Sequence, residues 1–122
     1  MQDNLVAISS NDFKNVASDT FGQSHYFMIY RMDTGEPQKV ETRENVLFMR
    51  SCDLQGRAEH LHGLLGDVKY FVGTKFNKTA REYLKKNSHQ LIEVAAGPVV
   101  EKIIEFQSTY ENEIQDTLAK KE

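Results

Sequence analysis

The hydrophobic positions in the first part of the chain fall into short blocks separated by polar turns. Residues 5–8 form a continuous apolar run, which is typical of a central strand buried on both faces. Residues 25–32 are dense in aromatic and β-branched side chains, and residues 38–44 alternate between apolar and polar positions. Each pattern predicts a strand. Only residues 33–37, with turn chemistry, separate these strands, so we expect an antiparallel hairpin. Residues 45–54 favour neither helix nor strand.

The second part of the chain carries helical patterns. The spacing of apolar residues predicts a helix over residues 55–65, a second helix capped by Asn77 or Thr79, and a third that Pro98 opens. The apolar side chains expected to face the core from these helices are Ala58, Leu61, Leu64, Leu65, Ala80, Tyr83, Leu84, Val99, Val100, Ile103, Ile104 and Phe106.

Strands are predicted between these helices, at residues 68–72 and 89–95. The resulting order, β-β-β-α-β-α-β-α, indicates an α/β domain with a mixed sheet. A meander followed by right-handed crossovers predicts five strands in the order 3-2-1-4-5, with strand 2 antiparallel to the rest and helices flanking the sheet. The connections leave strands 1 and 4 in opposite directions. A ligand crevice is therefore expected at their carboxyl ends, between loops 10–24 and 73–77.

Composition and charge restrict the classes of function. The 122 residues suffice for one domain, and the net charge of −3 comes without the basic block that nucleic-acid binders use against phosphates. Basic residues at positions 75–86 fit a solvated helix face. The lone Cys52 favours a reducing compartment. There is no signal-peptide pattern and no run of roughly 20 apolar residues. We therefore expect a cytoplasmic protein that binds neither nucleic acid nor membrane.

Four stretches of the chain together resemble a known family. They are the opening strand at residues 6–10, a Phe-Gly loop with an aromatic strand at residues 21–30, a strand ending in glycine at residues 67–73, and a closing unit from residue 90 to Phe106. The pattern is similar to that of the dinitrogenase iron–molybdenum cofactor biosynthesis family, also called nitrogenase accessory factor-like. The Phe-Gly-x-x-x-Tyr-Phe stretch is its most specific part.

The resemblance implies a three-layer, RNase H-like fold and a binding or carrier protein that is not an enzyme. It implies an iron–sulfur or molybdenum-containing cluster as the ligand, and a cluster donor or acceptor protein as the partner. We expect a family-like domain over residues 1–107 and a helical extension over residues 108–122. Two positions depart from the family pattern. Thr20 stands where many members have histidine, and residues 74–77 are bulkier than usual.

The loops at the expected crevice supply the candidate binding residues. Gly22 and Gly73 lack a Cβ, so the backbone there could approach a ligand closely. Hydroxyl and amide side chains beside them could make polar contacts. The candidate cofactor-binding residues are Ser10, Asn11, Thr20, Gly22, Gly73, Thr74 and Asn77.

Cys52, His60 and His62 are the candidate metal ligands. Iron–sulfur clusters are usually held by four thiolates, so one cysteine could hold a cluster only with histidine ligands or across a dimer. His60 and His62 are two residues apart, which separates them by about 200° on a helix, so they could not chelate one ion together. One of them could face the crevice with Cys52. The alternatives are an idle thiol and two surface histidines. His25 and His89, at predicted strand starts, fit structural roles.

Two other functions stay open. One is an interaction protein that keeps the fold and has lost the cluster site. The other is a magnesium nuclease, which needs carboxylates on the first strand to hold paired metal ions. Residues 5–9 contain none, and Asp12 follows too late in the chain. The sequence therefore ranks the nuclease last.

The last helix is predicted to extend beyond the domain. Residues 108–122 contain neither Pro nor Gly, and Tyr110, Ile114 and Leu118 continue an apolar stripe at a spacing of four. Little of the chain is left to cover this stripe. It predicts a homodimer through the C-terminal helix or, alternatively, a frayed and solvated end.

Overall fold

The computed structural model describes the protein over residues 2–32, 36–45 and 53–120, and for residues 2, 3 and 113–120 it describes the backbone alone. The strands and helices follow the predicted order, and a 3₁₀ turn was not anticipated. The strands are β1 (Gln2–Ser10), β2 (Tyr26–Arg31), β3 (Gln38–Glu44), β4 (Val68–Gly73) and β5 (Gln90–Glu93). The helices are α1 (Leu54–Leu64), α2 (Lys78–Lys86) and α3 (Val99–Lys120), and the 3₁₀ turn spans Phe21–Gln23.

The strands form one mixed sheet in the order β3-β2-β1-β4-β5. β2 is antiparallel to β1 and β3, whereas β4 is parallel to β1 and β5 is parallel to β4. The strand order and the direction of β2 confirm the prediction from sequence. β1 is the central strand, and its residues 5–10 are buried. A short apolar run thus forms a strand covered on both faces.

The two faces of the sheet carry separate apolar cores. On one face α1 and α2 cover the sheet, and Leu5 and Ala7 of β1 contribute to this core. On the other face α3 covers the sheet, and Val6 and Ile8 contribute to that core. Successive side chains of a strand point to opposite faces, so one apolar run supplies both cores.

The buried side of α3 differs from the predicted one. Val99, Ile103 and Phe106 are buried as expected, but Val100 and Ile104 are 63% and 56% exposed. Each exposed residue follows a buried one, and a single step turns the side chain by about 100° around a helix. The prediction was wrong at these two residues, because hydrophobicity alone does not show which side of a helix meets the sheet.

The sheet has two functionally different ends. The carboxyl edge (residues 10–25, 45 and 73–77) gathers the carboxyl ends of β1 and β4 and the beginning of α2. The amino edge (residues 62–68 and 84–89) holds the ends of α1 and α2 and the starts of β4 and β5. Of the two predicted caps of α2, Asn77 and Thr79, Asn77 is the N-cap, and its Oδ1 accepts from the Ala80 amide at 2.7 Å.

α3 continues past residue 107 without a break and is described as far as Lys120. Tyr110 still belongs to the core, since its ring lies 5.9 Å from that of Tyr70. The side chains of Ile114 and Leu118 lie outside the described part. Within the described chain, no helix combines the length and the apolar character needed to cross a membrane.

Candidate functional site

The loops that follow β1 and β4 bind each other at the carboxyl edge. The Phe21 amide donates to the Lys75 carbonyl at 2.9 Å, and the Thr74 hydroxyl donates to the Ala17 carbonyl at 2.9 Å. Thr20 and Lys75 form a short parallel bridge. The two loops therefore lie together at the edge where the sequence predicted a ligand crevice, and their polar groups bond across the junction.

The Phe21 side chain fills the space between the two loops. It is 1% exposed, and its ring stacks with those of Phe71 and Phe76 at centroid distances of 5.2 and 5.0 Å. A Cβ on Gly73 would lie 2.9 Å from Phe21 Cδ2. Gly73 therefore makes room for an aromatic ring of the protein itself.

A polar network closes the loop that follows β1. The Asp12 carboxylate accepts from the amides of Asn15 and Lys14 at 2.8 and 2.9 Å. These two backbone bonds, that of Asn15 first, lower the pKa of Asp12 from 3.8 to about 2. The Ser10 hydroxyl donates to the Asn15 carbonyl at 2.7 Å and accepts from the Phe13 amide at 3.0 Å. Phe13 has a left-handed backbone, with φ of 66°, within this bonded loop.

Two asparagines tie this loop to its neighbours. Asn11 Oδ1 accepts from the His25 amide at 2.8 Å. Asn45 is 0% exposed, and its Nδ2 donates to the carbonyls of Gly22 and Ser24, both at 2.9 Å. Each side chain thus bonds to backbone groups of a neighbouring segment.

The candidate metal ligands are not brought together in the described structure. Cys52 lies outside the described residues. His60 lies on α1 with its Nε2 buried and without a hydrogen-bond partner in the described part, and burial lowers the pKa of His60. No group of three or more His, Cys, Asp or Glu side chains among the described residues could hold a metal ion.

His62 lies at the amino edge, where it pairs with His89. His62 Nδ1 is 2.8 Å from His89 Nε2, and His89 Nδ1 is 2.8 Å from the Val68 carbonyl oxygen. His89 is 2% exposed, and its ring stacks on Phe71 at 4.4 Å. Burial lowers the pKa of His89. The pair connects the end of α1 to the starts of β4 and β5.

A groove of about 510 Å³ lies on the α3 face of the sheet, away from the candidate binding residues. It runs between α3 and the β2–β3 hairpin. Burial raises the pKa of Tyr30, which lies in this groove. The groove is lined by Tyr30, Glu36, Pro37, Val100, Ile103, Ile104 and Gln107.

The sequence matches a known protein family over most of its length. The family described as dinitrogenase iron-molybdenum cofactor matches residues 3–109, which include the whole sheet except its first residue. The chain belongs to the dinitrogenase iron-molybdenum cofactor family. No curated protein sequence matches the chain with significant similarity.

Solved structures share the fold of this family member. The crystal structure of PH0822 matches with a TM-score of 0.68 and 21% identity, over 86% of this chain and 91% of that one. The NMR structure of an NifB-like protein from Thermotoga, of the DUF35 family, has a TM-score of 0.61 and 25% identity over 87% and 88%. A candidate dinitrogenase from Methanocaldococcus jannaschii has a TM-score of 0.63 and 21% identity over 90% and 93%.

In this member of the dinitrogenase iron-molybdenum cofactor family, the candidate binding residues share one edge, whereas the described candidate ligand His62 lies at the other. Ser10, Asn11, Thr20, Gly22, Gly73, Thr74 and Asn77 all lie at the carboxyl edge. Their role toward a ligand stays a prediction. Sequence reasoning missed the bonding of Asn45 and the pairing of His62 with His89. Nothing in local periodicity signals either one, because each depends on which strands and helices become neighbours.

Proposed function

We propose that this protein is a non-catalytic binding and carrier protein for an iron–molybdenum or iron–sulfur cluster in cofactor biosynthesis. The observation that carries the proposal is the family match over residues 3–109. The cluster is cargo in this proposal, received from a donor protein and passed to an acceptor protein. The RNase H-like type of fold goes with it, and the strand order 3-2-1-4-5 with an antiparallel β2 supports that assignment.

The carboxyl edge suits an anionic cargo on physical grounds. α2 begins there, and a helix N-terminus carries a partial positive charge. Sulfide- and thiolate-ligated clusters are anionic groups, which such an edge would attract. The seven candidate binding residues border the same edge. Cys52 precedes α1 in the chain and is the one thiol available to bind iron.

A non-catalytic role is supported by the state of the nearby carboxylate. β1 carries one acid, Asp3 near its beginning, and residues 4–10 carry none, so paired magnesium ions would lack a second carboxylate from this strand. Asp12 follows β1, but its oxygens accept from the amides of Lys14 and Asn15. We expect the purified protein with magnesium to leave RNA and RNA–DNA hybrids intact. Cleavage that disappears in Asp12→Asn would favour a nuclease instead.

Anaerobic metal analysis of the full-length chain tests the carrier role. The protein would be incubated with ferrous iron, sulfide and molybdate under reducing conditions, then desalted. We expect iron or molybdenum and a visible absorption band to elute with the protein. Colourless, metal-free protein would contradict the proposal.

A variant at the loop junction sharpens this test. Thr20→His introduces the histidine that many members of the family carry at this position. We expect this variant to retain more metal than the unmodified protein. Ser18→His is the matched control, because Ser18 is exposed in the same loop. Equal retention in both variants would mean that an added imidazole anywhere in the loop suffices.

The second candidate function is an interaction protein without a cluster. It is favoured by the bonding at the carboxyl edge, where Ser10 and Thr74 already bond to backbone carbonyls and Phe21 fills the junction. In this case α3 would mediate self-association. Truncation after Asn112 keeps Tyr110 on the core and removes the extension. We expect it to lower the sedimentation coefficient at high micromolar concentration. A full-length chain that sediments as a monomer there would exclude the dimer.

A further inference from the structure

The histidine pair at the amino edge has a defined chain of hydrogen bonds. The Val68 carbonyl can only accept, so His89 Nδ1, 2.8 Å away, must carry the hydrogen. A neutral His89 with its hydrogen on Nδ1 has a lone pair on Nε2. The His62 Nδ1 atom that lies 2.8 Å from Nε2 must therefore donate.

This chain of bonds determines the tautomer of His62. With its hydrogen on Nδ1, a neutral His62 has its lone pair on Nε2. Free imidazoles in side chains can take either tautomer, and the neighbour of one nitrogen decides which form is present. His89 is 2% exposed and is held in place by the Val68 carbonyl and the Phe71 ring. Because His89 occupies the Nδ1 side of His62, the lone pair of His62 lies on the other ring nitrogen, Nε2.

His62 Nε2 is accessible, unlike the corresponding atom of His60. His62 is half-buried, and its ring meets the Tyr83 ring edge-on at 6.2 Å. Within the described residues, His62 Nε2 has no hydrogen-bond partner. His60 Nε2 also has none there, but it is buried, whereas His62 Nε2 is not. The lone pair of His62 is thus open to a ligand from solvent.

We propose that His62 Nε2 is a preset ligand for a borderline divalent transition metal ion, such as Cu²⁺, Ni²⁺ or Zn²⁺, with His89 as its positioning residue. Metal-ligating histidines characteristically donate their other ring N–H to an acceptor, which fixes the ring and makes it a better ligand. Here His89 is that acceptor. Imidazole suits borderline ions of this class.

The site supplies one ligand from this chain, because the described residues contain no group of three ligating side chains. Water or a second protein completes the coordination. Binding is accordingly weak and exchanges rapidly. The site is independent of the proposed cluster cargo at the carboxyl edge, at the opposite end of the sheet.

The tautomer is the first readout, and it does not depend on metal. Long-range ¹H–¹⁵N spectra of the full-length protein at pH 8 should show both His62 and His89 protonated on Nδ1 alone. A His62 that carries its hydrogen on Nε2 would overturn the proposal. If the pairing has no role in metal binding, Cu²⁺ should have no effect centred on His62, and the second experiment measures that effect.

Cu²⁺ itself is the probe in the second experiment. Substoichiometric Cu²⁺ should broaden amide signals around His62 and Tyr83, and His62→Gln should abolish that local effect. His25→Gln is the matched control, and it should leave broadening around His62 unchanged. Broadening that survives His62→Gln would overturn the proposal.

Variants of His89 test the positioning role. His89→Leu removes the acceptor, so the His62 tautomer should relax towards Nε2–H and Cu²⁺ affinity should fall about tenfold. His89→Gln retains an acceptor oxygen and should restore part of the affinity. Equal affinity in His89→Leu and in the unmodified chain would overturn the role of His89. If His89→Leu does not fold, the tautomer and His62→Gln measurements still decide the proposal.

Discussion

The two edges of the sheet use their polar side chains in opposite ways. At the carboxyl edge, Asp12, Asn45 and Thr74 direct their bonds to backbone groups of neighbouring loops. At the amino edge, His62 and His89 bond to each other and leave one imidazole nitrogen without a partner among the described residues. The first edge is closed by its own chain, and the second retains an unused ligand atom.

This difference shows that a loop at the expected binding edge need not have free groups for a ligand. The carboxyl edge lies where open α/β sheets bind ligands, yet Phe21 and Phe76 occupy the junction between its loops. A cluster bound there has to use atoms at the rim of the junction or displace part of it. The amino edge lies opposite. There the lone pair that we propose on His62 Nε2 depends on the buried His89, which fixes the tautomer of His62.

The largest expected effect comes from the ring that closes the carboxyl edge. Phe21→Ala removes a buried side chain that stacks on Phe71 and Phe76, and it should lower the free energy of unfolding by about 3–5 kcal/mol. Urea denaturation measures this change. Phe13→Ala is the control, because Phe13 is 46% exposed, and its cost should stay under about 1 kcal/mol. Similar costs for both variants would show that the junction is not packed as described.

The next effect concerns the buried amide at the same edge. Asn45→Ala leaves the Gly22 and Ser24 carbonyls without this donor. A buried polar group without a partner costs about 1–3 kcal/mol, so the midpoint of urea unfolding should fall accordingly. Asn112→Ala, at an exposed position of α3, should leave the midpoint nearly unchanged. An unchanged midpoint in Asn45→Ala would argue against a closed carboxyl edge.

Arg43, near the carboxyl end of β3, tests a link to the amino edge, because its side chain binds the turn after α1. Its guanidinium binds both carboxylate oxygens of Asp67 at 2.7 and 2.9 Å and donates to the Leu64 carbonyl at 2.9 Å. Asp67 is 43% exposed, so solvent weakens the pair, and Arg43→Ala should cost about 1–2 kcal/mol. Arg43→Lys keeps the charge but cannot bind both carboxylate oxygens in the same way. Its stability should lie between those of the unmodified protein and Arg43→Ala. Chemical denaturation at neutral pH measures both.

The same pair predicts a direction of pH dependence. The hydrogen bond from Arg43 lowers the pKa of Asp67 in the folded protein. The stabilisation is therefore complete above the unfolded pKa of about 3.9 and is lost as the pH falls through the folded value. Arg43→Ala should flatten the decline of stability below about pH 4. If stability declined equally steeply in Arg43→Ala and in the unmodified protein, the decline would come from carboxyl groups other than Asp67.

The smallest effect is the titration of Asp12, which reports the bonding of the loop after β1. Its pKa of about 2 should appear in a carbon-13 NMR titration of the carboxyl groups. The contribution of Asp12 to stability is present above pH 4 and is lost as the pH falls towards 2, because the folded pKa is the lower one. Asn15→Ala removes the Nδ2 bond at 3.1 Å and keeps both backbone bonds, so it should raise the pKa only slightly. A return to 3.8 would mean that the side-chain bond dominates.

Local patterns accounted for most of the fold. The strand at residues 5–8, the hairpin of β2 and β3, and the Asn77 cap depend on neighbours within a few positions, and each was predicted from sequence. The order 3-2-1-4-5 also followed, because crossovers between parallel strands are right-handed. The buried side of α3 did not follow at Val100 and Ile104, since four apolar residues at positions 99, 100, 103 and 104 fit more than one helix orientation.

For the candidate site, the sequence determined the neighbourhood and the tertiary structure determined the partners. The chain alone indicated that loops 10–24 and 73–77 lie at the same edge of the sheet, because both follow adjacent parallel strands. It could not indicate that Phe21 would occupy their junction, or that His62 would meet a histidine 27 positions away. Local periodicity depends on side-chain direction within one element. A hydrogen bond between two elements depends on their register and packing, which exist only in the folded chain.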